Sequence, residues 1–205
     1  MSISELIEAG PAPGADPTLD RVATAALEQF AEYGIRRTTI DDVARRAGVS
    51  RMTVFRRFTG KQRLIEIVIA REIRRGMHEL DCAWTSGQTL EQRLVTAFAF
   101  AGAFVGDHPL FDRLLRSEPE FLLPLVTTNG EPALELYRTL IAHRLRAEAK
   151  AGHIAPVDLD QAAEVIARLA ISLLLTQHGK IDLRHTDTVV AFVRLAVLPM
   201  LLRSA

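Results

Sequence analysis

The chain has a single cysteine, Cys82, among 205 residues, so it can form no internal disulfide and assemble no thiolate metal site. That excludes a disulfide-stabilised secreted domain. It has no excess charge of either sign, because 25 Lys and Arg stand against 25 Asp and Glu. The total therefore names no partner. It has no long apolar run either. The longest, Leu94 to Val105, is broken by Thr96 and Gly102 and falls well short of the roughly 18 residues that a membrane span needs. The first eight residues are acidic where a secretion signal would be basic. We therefore expect a cytoplasmic protein with no membrane segment. What remains is 48% hydrophobic and 24% charged with a mean hydropathy of +0.12, the make-up of a globular chain. At about 150 residues per domain, the length allows one or two domains.

Catalytic and metal patterns are missing too. The six histidines (His78, His108, His143, His153, His178 and His185) show no HExxH and no short paired spacing. Ser117 lies near Asp112 and His108 in sequence, but no G-x-S-x-G elbow frames it. Neither type of glycine-rich phosphate loop is present. No enzyme, metal or cofactor is read from these residues.

No stretch alternates with period two for long enough to make a strand, so the chain reads as all-α. Residues 1–16, with Gly10, Pro11, Pro13 and Gly14, read as a flexible arm. Asp16-Pro17 pairs a capping acid with a proline suited to the first helical position. Leu19, Val22, Ala23, Ala26, Leu27, Phe30 and Ala31 then follow the spacing of one buried helical face, which Gly34 ends. Thr39-Ile40-Asp41-Asp42 resembles a capping box, and Gly48 stops the short helix that it opens. Ser50 caps a third helix, and Thr59 with Gln62 is expected to open a fourth. Longer and more apolar helices follow Gly87. Short pieces are expected around Pro109 to Ser117 and Glu120 to Thr127. Helices are then expected from about Pro132 to Lys150, from Asp158 to near Thr176, and from about Thr186 to Leu202 with a bend at Pro199.

The charge is neutral only in total. Thirteen bases and seven acids lie between Thr18 and Arg75, a net of about +6 that the rest of the chain offsets. A basic N-terminal quarter is an electrostatic footprint for a polyanion. Two short helices joined through Gly48-Val49 have the arrangement in which the second enters the DNA major groove. Arg51 and Lys61 begin their helices, against the helix dipole, and each is better placed with an anion beside it.

The same residues carry a family resemblance. Ala25-Ala26-Leu27-Glu28-Gln29-Phe30-Ala31-Glu32-Tyr33-Gly34, Thr38-Thr39-Ile40-Asp41-Asp42-Val43-Ala44, Ala47-Gly48-Val49-Ser50, Thr53-Val54-Phe55-Arg56-Arg57-Phe58 and Gly60-Lys61 stand in the order and at the spacing of the DNA-binding domain of TetR/AcrR-type transcriptional regulators. The resemblance, over residues 18–70, implies a helix-turn-helix three-helix DNA-binding domain at 17–63. A larger helical effector-binding and dimerisation domain at 64–205 would follow it. It implies a ligand-responsive repressor, released from a palindromic double-stranded operator by a small, largely apolar effector. By position, Thr39 and Lys61 would meet phosphates, Ser50 would cap the recognition helix, and Arg51, Met52 and Thr53 would face base edges, with Arg56 at the groove edge. Phe55 stands where the family commonly has a tyrosine whose hydroxyl meets phosphate, and Arg57 where it often has histidine. Val43, Ala44, Val54 and Phe58 read as core.

The C-terminal part resembles the family only in length and helicity. Phe98, Phe104, Phe111 and Phe121 either line an apolar cavity or pack as ordinary core. Tyr137, Arg168 and Gln177, with His108, Arg113 and His178, either orient a ligand there or serve the surface. The last two helices, rich in Ile166, Leu169, Leu173, Val189, Val193, Val197 and Leu201, either pack in the monomer core or, as the resemblance implies, form a four-helix homodimer interface, which is the expectation taken here. Two alternatives stay open: a small helical enzyme or carrier with a basic surface, and a helix-turn-helix protein that binds DNA constitutively.

Overall fold

The computed structural model describes residues 16–177 and 179–202; all of the arm read at residues 1–16 except Asp16 lies outside them, as does His178. Every regular element among the described residues is helical. Helix α1 (Pro17–Tyr33) starts where Asp16 accepts the Thr18 and Leu19 N–H groups at 3.0 and 3.1 Å, with Pro17 in the first turn. Its Val22, Ala23, Ala26 and Phe30 are buried. Helix α2 (Ile40–Ala47) is opened by a reciprocal capping box between Thr39 and Asp42. It is closed by Gly48 at φ 64°, a left-handed conformation that favours a residue without Cβ. Helix α3 (Arg51–Phe58) follows, capped by Ser50.

Thr59 departs from expectation. It does not cap the fourth helix but closes α3, at φ 55°, with its N–H donating to the Phe55 carbonyl at 2.8 Å. Gly60 completes the reversal at φ 135°, and α4 (Lys61–Ser86) begins at once. Its 26 residues make one continuous helix about 39 Å long at the α-helical rise. The chain continues through α5 (Leu90–Asp107), α6 (Pro109–Arg116), a 3₁₀ turn (Pro119–Phe121), α7 (Leu123–Val126), α8 (Glu131–Lys150) and α9 (Leu159–Leu175). The expected piece at Glu120 to Thr127 is thus a 3₁₀ turn and a one-turn helix.

The expected bend at Pro199 takes another form. Between α10 (Thr186–Phe192) and α11 (Leu198–Leu202) the backbone widens into a π turn over Val193–Val197, and the Leu198 N–H donates to the Val193 carbonyl. A proline has no N–H, and its ring crowds the carbonyl four residues back. Widening the helix one turn earlier accommodates that without breaking the rod.

The described chain divides into two compact units. The first takes the residues up to Arg75 together with Pro109–Leu123, and the second takes Gly76–His108 and everything from Pro124. This division differs from a boundary at residue 63, because the first turns of α4 bury Leu64, Ile65, Val68 and Ile69 with the N-terminal helices. The second unit has its own core of Leu94, Phe98, Leu145, Ile166, Val189, Phe192, Val193, Val197 and Leu201. Phe98 and Phe192 meet edge to face, with ring centroids 5.1 Å apart. Helix α9 packs along α8, and α10 packs on α5. No single helix among the described residues is long and apolar enough to cross a membrane.

Candidate nucleic-acid interface

Alternate residues of α3 have opposite fates. Val54 and Phe58 are fully buried, beside Val43, Ala44 and Ala47 of α2, as the sequence pattern anticipates. Arg51, Met52, Phe55, Arg56 and Arg57 point to solvent, with Thr53 between the two sets. The Ser50 hydroxyl accepts the Thr53 N–H at 3.1 Å and lies 2.9 Å from the Thr53 hydroxyl, which fixes the first turn. A helix anchored on one side and bare on the other can enter a groove without costing core packing.

The charged groups are not equally available. The Arg51 guanidinium pairs with Asp41 of α2 at 3.1 Å, and Arg57 with the α1 cap Asp16 at 2.6 Å. Arg46 donates to Glu32 at 2.9 Å, and Arg45 to Asp42 at 3.3 Å. Arg56 has no ion-pair partner among the described residues. Among the described residues, Lys61, the first residue of α4, donates only to the Arg36 carbonyl, at 3.2 Å. Its cation stands at the positive end of a long helix and pairs with no carboxylate among the described residues, which suits a phosphate. The Thr39 hydroxyl donates to Asp42 at 2.6 Å, and this bond above all, then the Thr39 N–H, holds the Asp42 carboxyl below its ordinary value. Thr39 therefore donates its hydroxyl to a phosphate only by giving up its bond to Asp42.

A second set of contacts fixes the loop between α1 and α2, and sequence reasoning missed it. Glu118 is 6% exposed and accepts the Ile35 N–H at 2.7 Å and the Arg36 N–H at 2.8 Å. Arg113 donates to the Ala31 and Glu32 carbonyls, each at 3.0 Å, and so closes the last turn of α1. Arg113 is therefore a structural residue of this unit rather than a ligand group. Nothing local in the sequence signals the pairing, because the partners lie more than 80 residues apart.

Comparison with known proteins finds a likeness over the N-terminal helices. The family model of bacterial regulatory proteins of the tetR family matches residues 23–68, which hold most of α1, all of α2 and α3 and the start of α4. Over these residues the chain is similar to the bacterial regulatory proteins of the tetR family. The HTH-type transcriptional regulator SrpR of Pseudomonas putida is 35% identical over 78 residues, 38% of this chain and 35% of SrpR. The uncharacterised regulator TtgW of the same species is also 35% identical over 78 residues, covering 55% of its length. The match thus spans between about a third and about half of these relatives' own length. A solved TetR-family transcriptional regulator from Pectobacterium atrosepticum superposes with a TM-score of 0.73 over 92% of this chain and 96% of that one. At 15% identity this shows a shared fold. Both Pseudomonas relatives are named as HTH-type transcriptional regulators.

The residues expected to meet an effector are divided between the two units. Phe111 and Phe121 belong to the first compact unit, where Phe111 is buried, so they share no cavity wall within the second unit. They neighbour Phe104 in sequence, but the segment that carries them packs with α1. Phe98 is in the second unit's core against Phe192. Phe104 stacks on Phe100 at 5.7 Å and lies 5.4 Å from the buried His108 ring. Tyr137, on α8, has its phenol pushed above its ordinary pKa by burial. Arg168 is exposed and bonded to Glu164, which marks a surface ion pair. Gln177 is half-buried just beyond α9.

Proposed function

We propose that the chain is a DNA-binding transcriptional regulator that reads a palindromic operator as a homodimer, represses from it, and is released by a small, largely apolar effector. The observation that carries this is the face of α3. An eight-residue helix, buried through Val54 and Phe58, turns Arg51, Met52, Phe55 and Arg56 outward beside the uncompensated Lys61. A duplex supplies both the base edges and the phosphates that such a face lacks.

Homodimerisation is supported by apolar side chains left bare on the last helical stretches. Leu195 is 82% exposed, and Val165 and Leu202 are exposed as well. One short helix reads few base pairs, and a two-fold pair reads a palindrome whose half-sites lie about 34–36 Å apart. Phe104, Tyr137 and Gln177 are the expected effector-side residues that the second unit keeps once core and surface roles are set aside. An apolar ring, a phenol and an amide, each half-buried, they suit a largely apolar ligand with one polar end.

The test is selection of sequences from a randomised duplex library by the full chain. Enrichment of an inverted repeat supports the reading, and recovery of unenriched sequences overturns it. A constitutive binder would enrich the same repeat but ignore every apolar compound added to the complex.

A further inference from the structure

We propose that Met52 and Phe55 are specificity-determining residues that read thymine methyl groups in the major groove, beside a base contact from Arg51; this rests on the DNA-binding reading above. Met52 is 71% exposed and Phe55 is 55% exposed. They are three residues apart on α3, so they share one face of the helix. Two of the large apolar side chains that the described chain leaves bare thus fall within four consecutive residues. Neither supports the fold, whose apolar anchors on α3 are the fully buried Val54 and Phe58.

The surroundings select the occupant. Arg51, Arg56 and Arg57 flank the two side chains on α3, and Arg45 and Lys61 lie on the helices before and after it. A protein partner for an apolar patch would have to accept this density of positive charge, whereas the duplex brings phosphates for the cations. In the major groove the apolar group that an ordinary base pair offers is the C5-methyl of thymine; the other edges are donors and acceptors. Phe55 has no hydroxyl, so it cannot donate to a phosphate, and its ring is left with an apolar target. Arg51 has the bidentate geometry that suits guanine O6 and N7, and it must exchange Asp41, at 3.1 Å, for the base. The half-site is thus a guanine with thymines at neighbouring steps.

The test uses the duplex enriched by the full chain and replaces its thymines by deoxyuridine one at a time, which removes a single methyl and no hydrogen-bonding group. Affinity is read by fluorescence anisotropy at fixed salt. The expected result is a loss of about fourfold at each contacted thymine, the ratio that corresponds to one buried methyl. That loss disappears at one position in Met52→Ala and at another in Phe55→Ala. Both variants keep the parent's circular dichroism, since both side chains lie outside the core. The proposal is overturned if every deoxyuridine duplex binds as tightly as the parent duplex while a permuted duplex still binds worse. It is equally overturned if the two alanine variants weaken all duplexes alike and leave the deoxyuridine losses in place. Failure to enrich any duplex would instead defeat the regulator reading itself.

Discussion

Replacing Glu118 by Gln exchanges one carboxylate oxygen for an NH₂ group and tests whether the segment around α6 holds the DNA-binding unit in shape. In the parent, one carboxylate oxygen accepts the Ile35 N–H and the other the Arg36 N–H, at 2.7 and 2.8 Å. Both bonds are charge-assisted, and Ile35 is fully buried. Gln keeps the shape but offers one oxygen and one NH₂ group. One bond falls from charged to neutral strength, and the other becomes a donor facing a donor. A hydrogen bond to a charged group contributes about 1.5–3 kcal/mol, and leaving a buried donor unpaired costs about 1–3 kcal/mol. The two effects together give a loss of about 3 kcal/mol, a large part of the roughly 5–15 kcal/mol by which a small domain is stable. Two compact units need not unfold together, so the assay must be local. Amide hydrogen exchange resolved at Ile35 and Arg36, with urea unfolding alongside, is the appropriate pair of measurements. We expect these amides to lose protection by about a hundredfold, and the unit carrying α1 to α3 to unfold at lower urea. Parent-like protection at both amides, with an unchanged midpoint, would refute the reasoning.

Four further outcomes follow from other parts of the structure. Lys61→Ala should weaken binding to every duplex by a similar factor and reduce the slope of log affinity against log salt by about one, read by anisotropy titration. Gly102→Ala places a Cβ 2.4 Å from the Leu183 Cβ and 2.9 Å from its carbonyl carbon, where backbone cannot give way cheaply; a loss of about 1–3 kcal/mol is expected in urea unfolding of the second unit. Asp182 accepts the Arg184 guanidinium and then its N–H, which hold the carboxyl well below its ordinary value. Its contribution is complete above the unfolded carboxylate pKa of about 3.9 and is lost as pH falls from there through the folded value. Urea midpoints between pH 5 and pH 2 should therefore fall less steeply for Asp182→Asn than for the parent. Leu195→Glu should turn the dimer expected by light scattering into a monomer, since it places a carboxylate on an apolar contact.

The parts of the fold that could be read from the sequence are those fixed by near neighbours. Asp16-Pro17, Thr39 with Asp42, Ser50, Gly34 and Gly48 each act within four residues, and all five mark the helix ends they were expected to mark. Val54 and Phe58 of α3 are buried where they were read as core. Long-range pairing was not legible. Arg113 and Glu118 look like ordinary surface charges until α6 is brought against α1, so the division of the chain into units and the placing of Phe111 and Phe121 depend on the fold. Thr59 misled because the same residue type that caps a helix can close the preceding one when a glycine follows. Phe98 and Phe104 are six residues apart on α5, yet Phe98 meets Phe192 in the core while Phe104 stacks with Phe100. Spacing along one helix does not say which neighbour covers each turn.

The most direct measurement of the central claim is the affinity of the full chain for the enriched duplex and for a permuted duplex of the same composition, titrated with salt. The account predicts tight binding to the enriched duplex, binding weaker by at least a thousandfold to the permuted one, and a steep fall of both with salt as phosphate contacts are screened. Equal, weak binding to the two duplexes at every salt concentration would contradict it.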